Sequence, residues 1–397
     1  MIDGIKYIDE VDIQNKKILL RVDYNVTLLP DFTVANDERI QRSLPTINYL
    51  QQKKNKLILV SHLDRPPKRE EKYSLRSVAT TLQTQLPAHK VILVEDFLSE
   101  EGKKKIAEQK ENEILLLENI RFYPEEKESD LEFAKKLASL AEIFVNDAFG
   151  VSHRNDTSIV RIPKLLPSYG GLLLKKEVGM ISKCIENPQR PYVALIGGAK
   201  VSTKLPVLNR LLELADCLIV GGGVANTILK EQGYEIGKSI EEEQEVEHAK
   251  QLIELSKQKA VPVLLPFDVV VADGKESSSG KIKKITEISP NDTILDIGPE
   301  TEAIYGKSIA EAKTIVWNGP FGYFENSAFR RGTDFIYYAI AQNDKATSIV
   351  GGGETLTAIS KKEYLDKITH ISTGGGAMLE FMEKGTLPGI EALKQST

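Results

Sequence analysis

At 397 residues the chain is longer than one typical domain, which predicts two, each long enough to bury its own core. Its 41% hydrophobic and 27% charged residues are ordinary for a globular protein, and a net charge of −5 argues against nucleic acid or an anionic membrane as the main partner. Two cysteines, Cys184 and Cys217, exclude a disulfide framework and a clustered-thiol metal site; no apolar run approaches the ~20 residues of a membrane span, and no secretory h-region opens the chain, so a cytoplasmic location is expected.

The first half repeats one theme: an apolar run ends and a polar or basic residue follows at once. Ile18-Leu19-Leu20 leads to Arg21, Asp23 and Asn25, and Leu57-Ile58-Leu59-Val60 leads to His62 and Arg65. Val91 to Val94 precedes Glu95 and Asp96; Ile114 to Leu117 precedes Glu118, Asn119 and Arg121; Ile143-Phe144-Val145 precedes Asn146, Asp147, His153 and Arg154. Helical patterns over 44–53, 74–86 and 129–140 separate these runs. Strands alternating with helices predict a parallel sheet covered on both faces, with ligands beyond the carboxyl ends of its strands. A further helix is predicted over 172–186, ended before Pro188; it fits a connector between two α/β units or a surface helix of the first.

The second half opens on Tyr192-Val193-Ala194-Leu195-Ile196, then Gly197-Gly198, then Lys200 and Lys204. This reads as a strand, a glycine turn and a helix start whose two lysines, four apart, share a face. Free N–H groups and a positive dipole at a helix start suit phosphate. A tight turn with solvated lysines fits the same letters. Later strands also run into glycine: Val220 into Gly221 to Gly223, Ile297 into Gly298, Trp317 into Asn318-Gly319-Pro320, Val350 into Gly351 to Gly353 and Glu354, and Thr373 into Gly374 to Gly376. Val263 to Leu265 and Val269 to Val271 supply two more apolar runs.

Twenty-two of the 28 glycines follow residue 190, and nine of the 13 arginines precede residue 170. That asymmetry divides the labour. Guanidinium forks suit the carboxylate and phosphate of a small acid, whereas glycine turns and helix starts suit nucleotide phosphates. Transfer of a charged group between two such ligands accounts for both halves. No G-x-x-x-x-G-K-[ST] and no G-x-G-x-x-G after a strand occurs, which disfavours a P-loop or a dinucleotide fold. His62 and His153 fit either hydrogen-bonded structural roles or anion contacts, and Asp147 either a magnesium ligand or a cap. Glu241 to Glu243 reads as a solvated helix start and Lys103 to Lys105 as a solvated face. Glu325 and Glu354 are carboxylates placed to hold a ribose hydroxyl or help place a phosphate-bound Mg²⁺.

On these motifs the chain resembles the phosphoglycerate kinase family along nearly its whole length. Arg21 to Val26, Asp37-Glu38-Arg39-Ile40, Ser61 to Pro66, Glu118 to Phe122 and His153-Arg154 match its substrate segments. Gly197 to Lys204, Trp317 to Pro320, Phe324-Glu325, Gly351 to Thr355 and Ser372 to Gly376 match its nucleotide side, and Leu387 to Ile390 its tail. The resemblance implies two doubly wound parallel-sheet α/β domains facing each other across a cleft: 1–171 with a returning tail 381–397 for the acid, a connecting helix 172–187, and 188–380 for the nucleotide. It implies reversible phosphoryl transfer from 1,3-bisphosphoglycerate to MgADP, giving 3-phosphoglycerate and ATP, in a monomer. The acid would be held by Arg21, Asp23, Asn25, Arg39, His62, Arg65, Arg121, His153 and Arg154. The nucleotide would be held by Gly198, Ala199, Lys200, Lys204, Gly222, Pro320, Glu325 and Gly351, Gly352, Gly353, Glu354 and Thr355. Arg39, Lys200 and Gly375 would carry catalysis, and Glu354 would meet Mg²⁺ indirectly, through nucleotide phosphates or water.

The chain departs from the family pattern in several places. Asp64 stands where Gly is usual, Thr27 for Pro, Asp156 for a second histidine, Thr203 for an acidic residue, Ile294 for Gly and Glu354 for Asp. Asp156 adds negative charge near the basic patch, and Glu354 is one methylene longer. Two readings without catalysis compete: a phosphometabolite-binding protein on the same scaffold, and a hinged solute-binding protein. The first would be favoured by loss of Arg39 or Lys200, and both are present.

Overall fold

A computed structural model of the chain describes residues 4–202, 204–359 and 362–394, so the departure at Thr203 lies outside the described residues. Two compact units emerge: Met1–Gly179 with Thr386–Thr397, and Met180–Gly385. The helix Leu172–Glu186 gives residues to both, and the helix Gly375–Lys384 stays in the second unit, so the tail leaves it after Gly385 rather than near 381.

The first unit is built on β1 (Lys17–Arg21), β2 (Lys56–Val60), β3 (Lys90–Val94), β4 (Glu113–Leu117), β5 (Ile143–Asn146) and β6 (Ser168–Gly170). They form one sheet, ordered β3-β4-β2-β1-β5-β6, and every pairing is parallel. The central strands β1, β2, β4 and β5 are buried almost throughout, which is why they read as unbroken apolar runs. The chain builds outward from β1 on one side, then returns to β5 on the other. The order therefore reverses between β1 and β5, where Arg21 lies in register with Asn146. A ligand crevice is expected at such a switch point.

The intervening helices are Glu38–Gln52, Arg76–Gln85, Glu100–Ala107 and Leu131–Ala138. Lys103 and Lys105 pair with Glu100 and Glu101 on an exposed face, as the sequence suggests. Asp147 Oδ1 accepts from Leu173 N at 2.9 Å and Leu174 N at 3.1 Å, so of its two readings it is the cap of the helix Leu172–Glu186. The tail helix Pro388–Lys394 docks on this unit: Gly389 N donates to Ser152 O at 2.8 Å, and a Cβ on Gly389 would stand 2.7 Å from Ile159 Cγ2.

The second unit contains β7 (Tyr192–Ile196), β8 (Cys217–Val220), β9 (Val263–Leu264), β10 (Asp268–Ala272), β11 (Lys281–Lys284), β12 (Thr293–Ile297), β13 (Thr314–Asn318), β14 (Thr347–Gly351) and β15 (His370–Ile371). Six form a parallel sheet, β15-β14-β13-β7-β8-β9, which reverses between β7 and β13. Buried Trp317, Tyr305 and Tyr337 belong to its core. The other three form a separate antiparallel sheet, β11-β10-β12, so the apolar runs at 269 and 294 do not continue the parallel series. Among the described residues no helix is long and apolar enough to cross a membrane.

Candidate active site

At the switch point of the first unit, loops after β1, β2, β4 and β5 carry a knot of charge. Arg21 is fully buried. Its Nε donates to Ser158 Oγ at 2.9 Å, its Nη1 to Val22 O, and its Nη2 lies 3.4 Å from His62 Nδ1. Behind Ser158 stands Glu126, also fully buried, which accepts from Ser158 Oγ at 2.5 Å and Ser158 N at 2.9 Å. Burial pushes the Glu126 carboxyl up to about 7 despite the opposing pull of Arg21.

Asp23 Oδ2 accepts from Arg39 Nη1 at 2.5 Å, and its Oδ1 lies 4.0 Å from His62 Nδ1. Burial raises the Asp23 carboxyl, but the cations around it outweigh burial and hold it well below the usual carboxylate range. Burial, opposed by Asp23 and assisted by Arg21, Arg121 and Arg154, drives His62 well below its ordinary value, so the imidazole is neutral. Among the cations that keep Asp23 ionised, the Arg39 guanidinium is foremost.

Asn25 Oδ1 accepts from Asp64 N at 2.7 Å, and Asn119 grips the same loop through Leu63 N and Leu63 O. That hold places Asp64 at φ +54°, the left-handed region that glycine adopts without penalty. Arg121 Nη1 donates to Asp64 O at 2.6 Å, and its Nη2 lies 3.4 Å from Asp156 Oδ2. The Nε groups of Arg121 and Arg154 are buried without an acceptor among the described residues, a state that anion ligands relieve. The fold thus gathers Arg21, Asp23, Asn25, Arg39, His62, Arg121 and Arg154. Arg65 lies exposed three residues beyond His62 on the same loop, and His153 half-buried beside Arg154.

In the second unit the site forms where β7 and β13 end, with Asn318 in register with Ile196. Gly197 N donates to Asn318 O at 2.9 Å, and Gly198 N to Pro320 O at 2.8 Å. The two turns approach so closely that a Cβ on Gly319 would lie 2.3 Å from Gly197 O. The next turn interlocks likewise: a Cβ on Gly375 would lie 2.3 Å from Gly352 Cα. Thr355 Oγ1 accepts from Gly319 N at 2.7 Å and donates to Gly351 O at 3.0 Å, tying the Gly351 to Thr355 turn to β13.

The helix after β7 begins later than the sequence suggests, at Leu205, with Pro206 in its first turn. Lys204 sits at its cap, and Lys200 lies on irregular chain, so the two lysines do not share a helix face. The glycine pair and the proline set that boundary. Lys204 Nζ donates to Asn318 Oδ1, and burial lowers its pKa to about 8 against the opposing pull of Glu354. Glu241 and Glu242 are not simply solvated: Glu241 pairs with Lys230, and Glu242 accepts from Ser202 N and Oγ.

Two cavities meet here. One, of about 370 Å³, has Gly198, Gly222, Pro320 and Glu325 in its lining, with apolar walls from Ile240, Val269, Ile294, Leu295 and Phe321. The other, of about 620 Å³, is lined by Lys200, Lys204, Gly352, Gly353, Thr355 and Gly375. Ala199 and Glu354 line both. An apolar chamber joined to a glycine- and lysine-lined one matches a nucleoside with a phosphate chain. Among the described residues no three His, Cys, Asp or Glu side chains are grouped to hold a metal. Glu354, a single carboxylate at the junction, suits an ion that takes most of its ligands from phosphate and water.

Residues 8–385 match the family model described as phosphoglycerate kinase. The chain belongs to the phosphoglycerate kinase family. It is 46% identical over 384 residues to phosphoglycerate kinase of Dictyoglomus turgidum, covering 96% of each chain, and 46% identical over 388 residues to that of Moorella thermoacetica, covering 97% and 98%. The solved phosphoglycerate kinase of Coxiella burnetii superposes with a TM-score of 0.86 at 41% identity, over 98% of this chain and 99% of that one. That of Pyrococcus horikoshii gives 0.87 at 32%, over 99% of each. Like these phosphoglycerate kinases, the chain is an enzyme, a phosphotransferase with a carboxyl group as acceptor, and the relatives give no support to the readings without catalysis.

Sequence reasoning missed Glu126 and Ser158. Glu126 sits within the charged run Glu125-Glu126-Lys127-Glu128, where nothing distinguishes a buried carboxyl from its solvated neighbours. It also missed Val269 and Leu295 as cavity walls, because their apolar runs read as ordinary sheet strands.

Proposed function

We propose that the first unit binds 3-phosphoglycerate and 1,3-bisphosphoglycerate and the second binds ADP and ATP, with the phosphoryl group passing between them. The observation that carries this is Lys204: a desolvated cation lining the glycine-rich chamber, within electrostatic reach of Glu354, which stands where that chamber meets the apolar one. The guanidinium cluster of the first unit supplies the matching grip on a small acid. Asp23 orients Arg39, the neutral imidazole of His62 adds no repulsion to the cations, and Asn119 fixes the loop that carries Asp64 and Arg65.

Phosphoryl transfer asks the protein for positioning and charge neutralisation rather than a covalent nucleophile. Arg39 and Lys200 take that role toward the moving group, and Gly375 lets its helix start close against the Gly351 to Thr355 turn. Mg²⁺, entering with the nucleotide, would be met by Glu354 and would neutralise phosphate charge. Gly198, Ala199, Gly222, Pro320 and Glu325 line the nucleoside side. A cytoplasmic monomer is our working state. The test is ATP formation from 1,3-bisphosphoglycerate and MgADP. Lys200→Ala should lower turnover on the order of 10²–10³-fold while 3-phosphoglycerate still binds, by analogy with loss of one oxyanion donor. Undiminished turnover would remove Lys200 from the role given to it.

A further inference from the structure

The acid site packs like charges together out of water. Arg121 is opposed by Arg154 and by Arg21, and Arg21 by Arg154. Such repulsion works against the compact state. One carboxylate lies on the Arg121 side of this cluster. Asp156 is buried, its Oδ2 is 3.4 Å from Arg121 Nη2, and its charge also reaches Arg21. The other anions are engaged elsewhere: Asp23 with Arg39, and Glu126 behind Arg21 through Ser158. Asp156 precedes the short helix Thr157–Val160, yet its side chain makes no cap hydrogen bond there. It pairs instead with Arg121, whose Nη1 is already given to Asp64 O and whose Nε has no acceptor among the described residues.

We propose that Asp156 is the acid site's own counter-anion: it offsets the repulsion among Arg21, Arg121 and Arg154, and it takes up part of Arg121's donor capacity, so an incoming phosphate monoester must share or displace it. This rests on the reading that Arg121 contacts the acid. Asp156 thereby sets affinity for the acid at a level below what the bare cations would give, and stabilises the unit in return. The two effects have opposite signs, which separates this role from a purely structural one.

The test compares Asp156→Asn and Asp156→Ser, both neutral, with Asp156→Glu, which keeps the charge. The neutral variants should melt lower than wild type yet show a KM for 3-phosphoglycerate lower by roughly three- to tenfold, the scale of the net contribution of one hydrogen bond. KM for MgATP should not move. Sulfate should raise the melting temperature of the neutral variants more than that of wild type, because it replaces the lost anion. Asp156→Glu should stay near wild type in KM. A neutral variant that melts lower and also binds the acid less tightly, or equally, overturns the proposal. Arg121→Ala serves as the reference: it should raise the KM for the acid. If it does not, the acid-site reading falls and takes the proposal with it; if it does while the neutral variants show no gain, only the proposal falls.

Discussion

Replacing Lys204 by Met should stabilise the second unit and abolish most of its activity. The lysine's pKa falls from 10.5 to about 8, and burial is the main cause. For a base, a folded pKa below the unfolded one means that the unfolded chain holds more protons. Stability is therefore lost at pH values below 8 and recovered as pH rises from 8 toward 10.5. At about 1.36 kcal/mol per unit, the neutral-pH penalty is about 3 kcal/mol. Methionine keeps the apolar stem and removes the charge, but strands Asn318 Oδ1, the acceptor of Lys204 Nζ. An unsatisfied buried acceptor costs about 1–2 kcal/mol. The net gain is about 1–2 kcal/mol, which in a unit of this size raises the melting temperature by roughly 2–6 °C.

The assay is differential scanning calorimetry without nucleotide at pH 7 and pH 9.5, with turnover measured in parallel. Lys204→Met should melt above wild type at pH 7, and the gap should shrink at pH 9.5. Its turnover should fall on the order of 10²–10³-fold, as for loss of one charge-stabilising donor. A variant that melts below wild type at pH 7 would show that Asn318 and Glu354 compensate the buried charge, and the desolvation argument would fail. A gap that does not change with pH would show that the lysine is not the titrating group.

Three other outcomes are expected. Gly375→Ala places a Cβ 2.3 Å from Gly352 Cα, so it should raise the KM for ATP and lower turnover, whereas Gly376→Ala meets nothing within 4 Å and should be tolerated; steady-state kinetics on the pair checks this. At Asp64, held at φ +54°, Ala should be less stable than Gly by about 1 kcal/mol, the scale of the left-handed penalty, as read from denaturant melts. Glu126, Asp147 and Asp296 are each pushed up to about 7 by burial. Acids raised in the fold stabilise it fully below their unfolded values near pH 4 and lose that contribution as pH rises through 7, so melting temperature should fall from pH 5 to pH 8, and Glu126→Gln with Asp147→Asn and Asp296→Asn should flatten that fall.

The parallel sheets were legible because β1, β2, β4, β5, β7 and β13 are buried on both faces, which leaves an unbroken apolar run ended abruptly by the ligand loops. The antiparallel sheet was not. Lys281–Lys284 alternates lysine with isoleucine and an exposed edge, with Ile282 at 60% exposure, so it carries no burial signal. Its partners Asp268–Ala272 and Thr293–Ile297 look like any buried run, and periodicity alone does not say which sheet a short strand joins. Arg121 and Lys204 could be singled out by type and position, and Arg39 through the family resemblance alone, yet the pairing of these cations with Asp156, Asn318 and Asp23 is chosen by tertiary packing. The lysine pair failed as a helix face because local geometry, two glycines and Pro206, outranked the four-residue spacing.

The same packing explains why the site should respond strongly to its ligands. Burial lowers the proton affinity of Arg21, Arg121 and Lys204 alike. Each holds its charge in a place that disfavours it, and two guanidinium Nε groups lack acceptors among the described residues. Such groups gain more from an arriving phosphate than solvated lysines on an open surface would, because the anion supplies the missing partner in a low-dielectric setting. The fold bears that cost through a brace and a loop clamp behind the guanidiniums, the Glu126–Ser158 pair at Arg21 and Asn119 on the Asp64 loop, and through the interlocked glycine turns that line the cavity beside Lys204. Destabilised cations on a rigid support give affinity for a charge that arrives, and that is the property a phosphoryl donor and its acceptor both require.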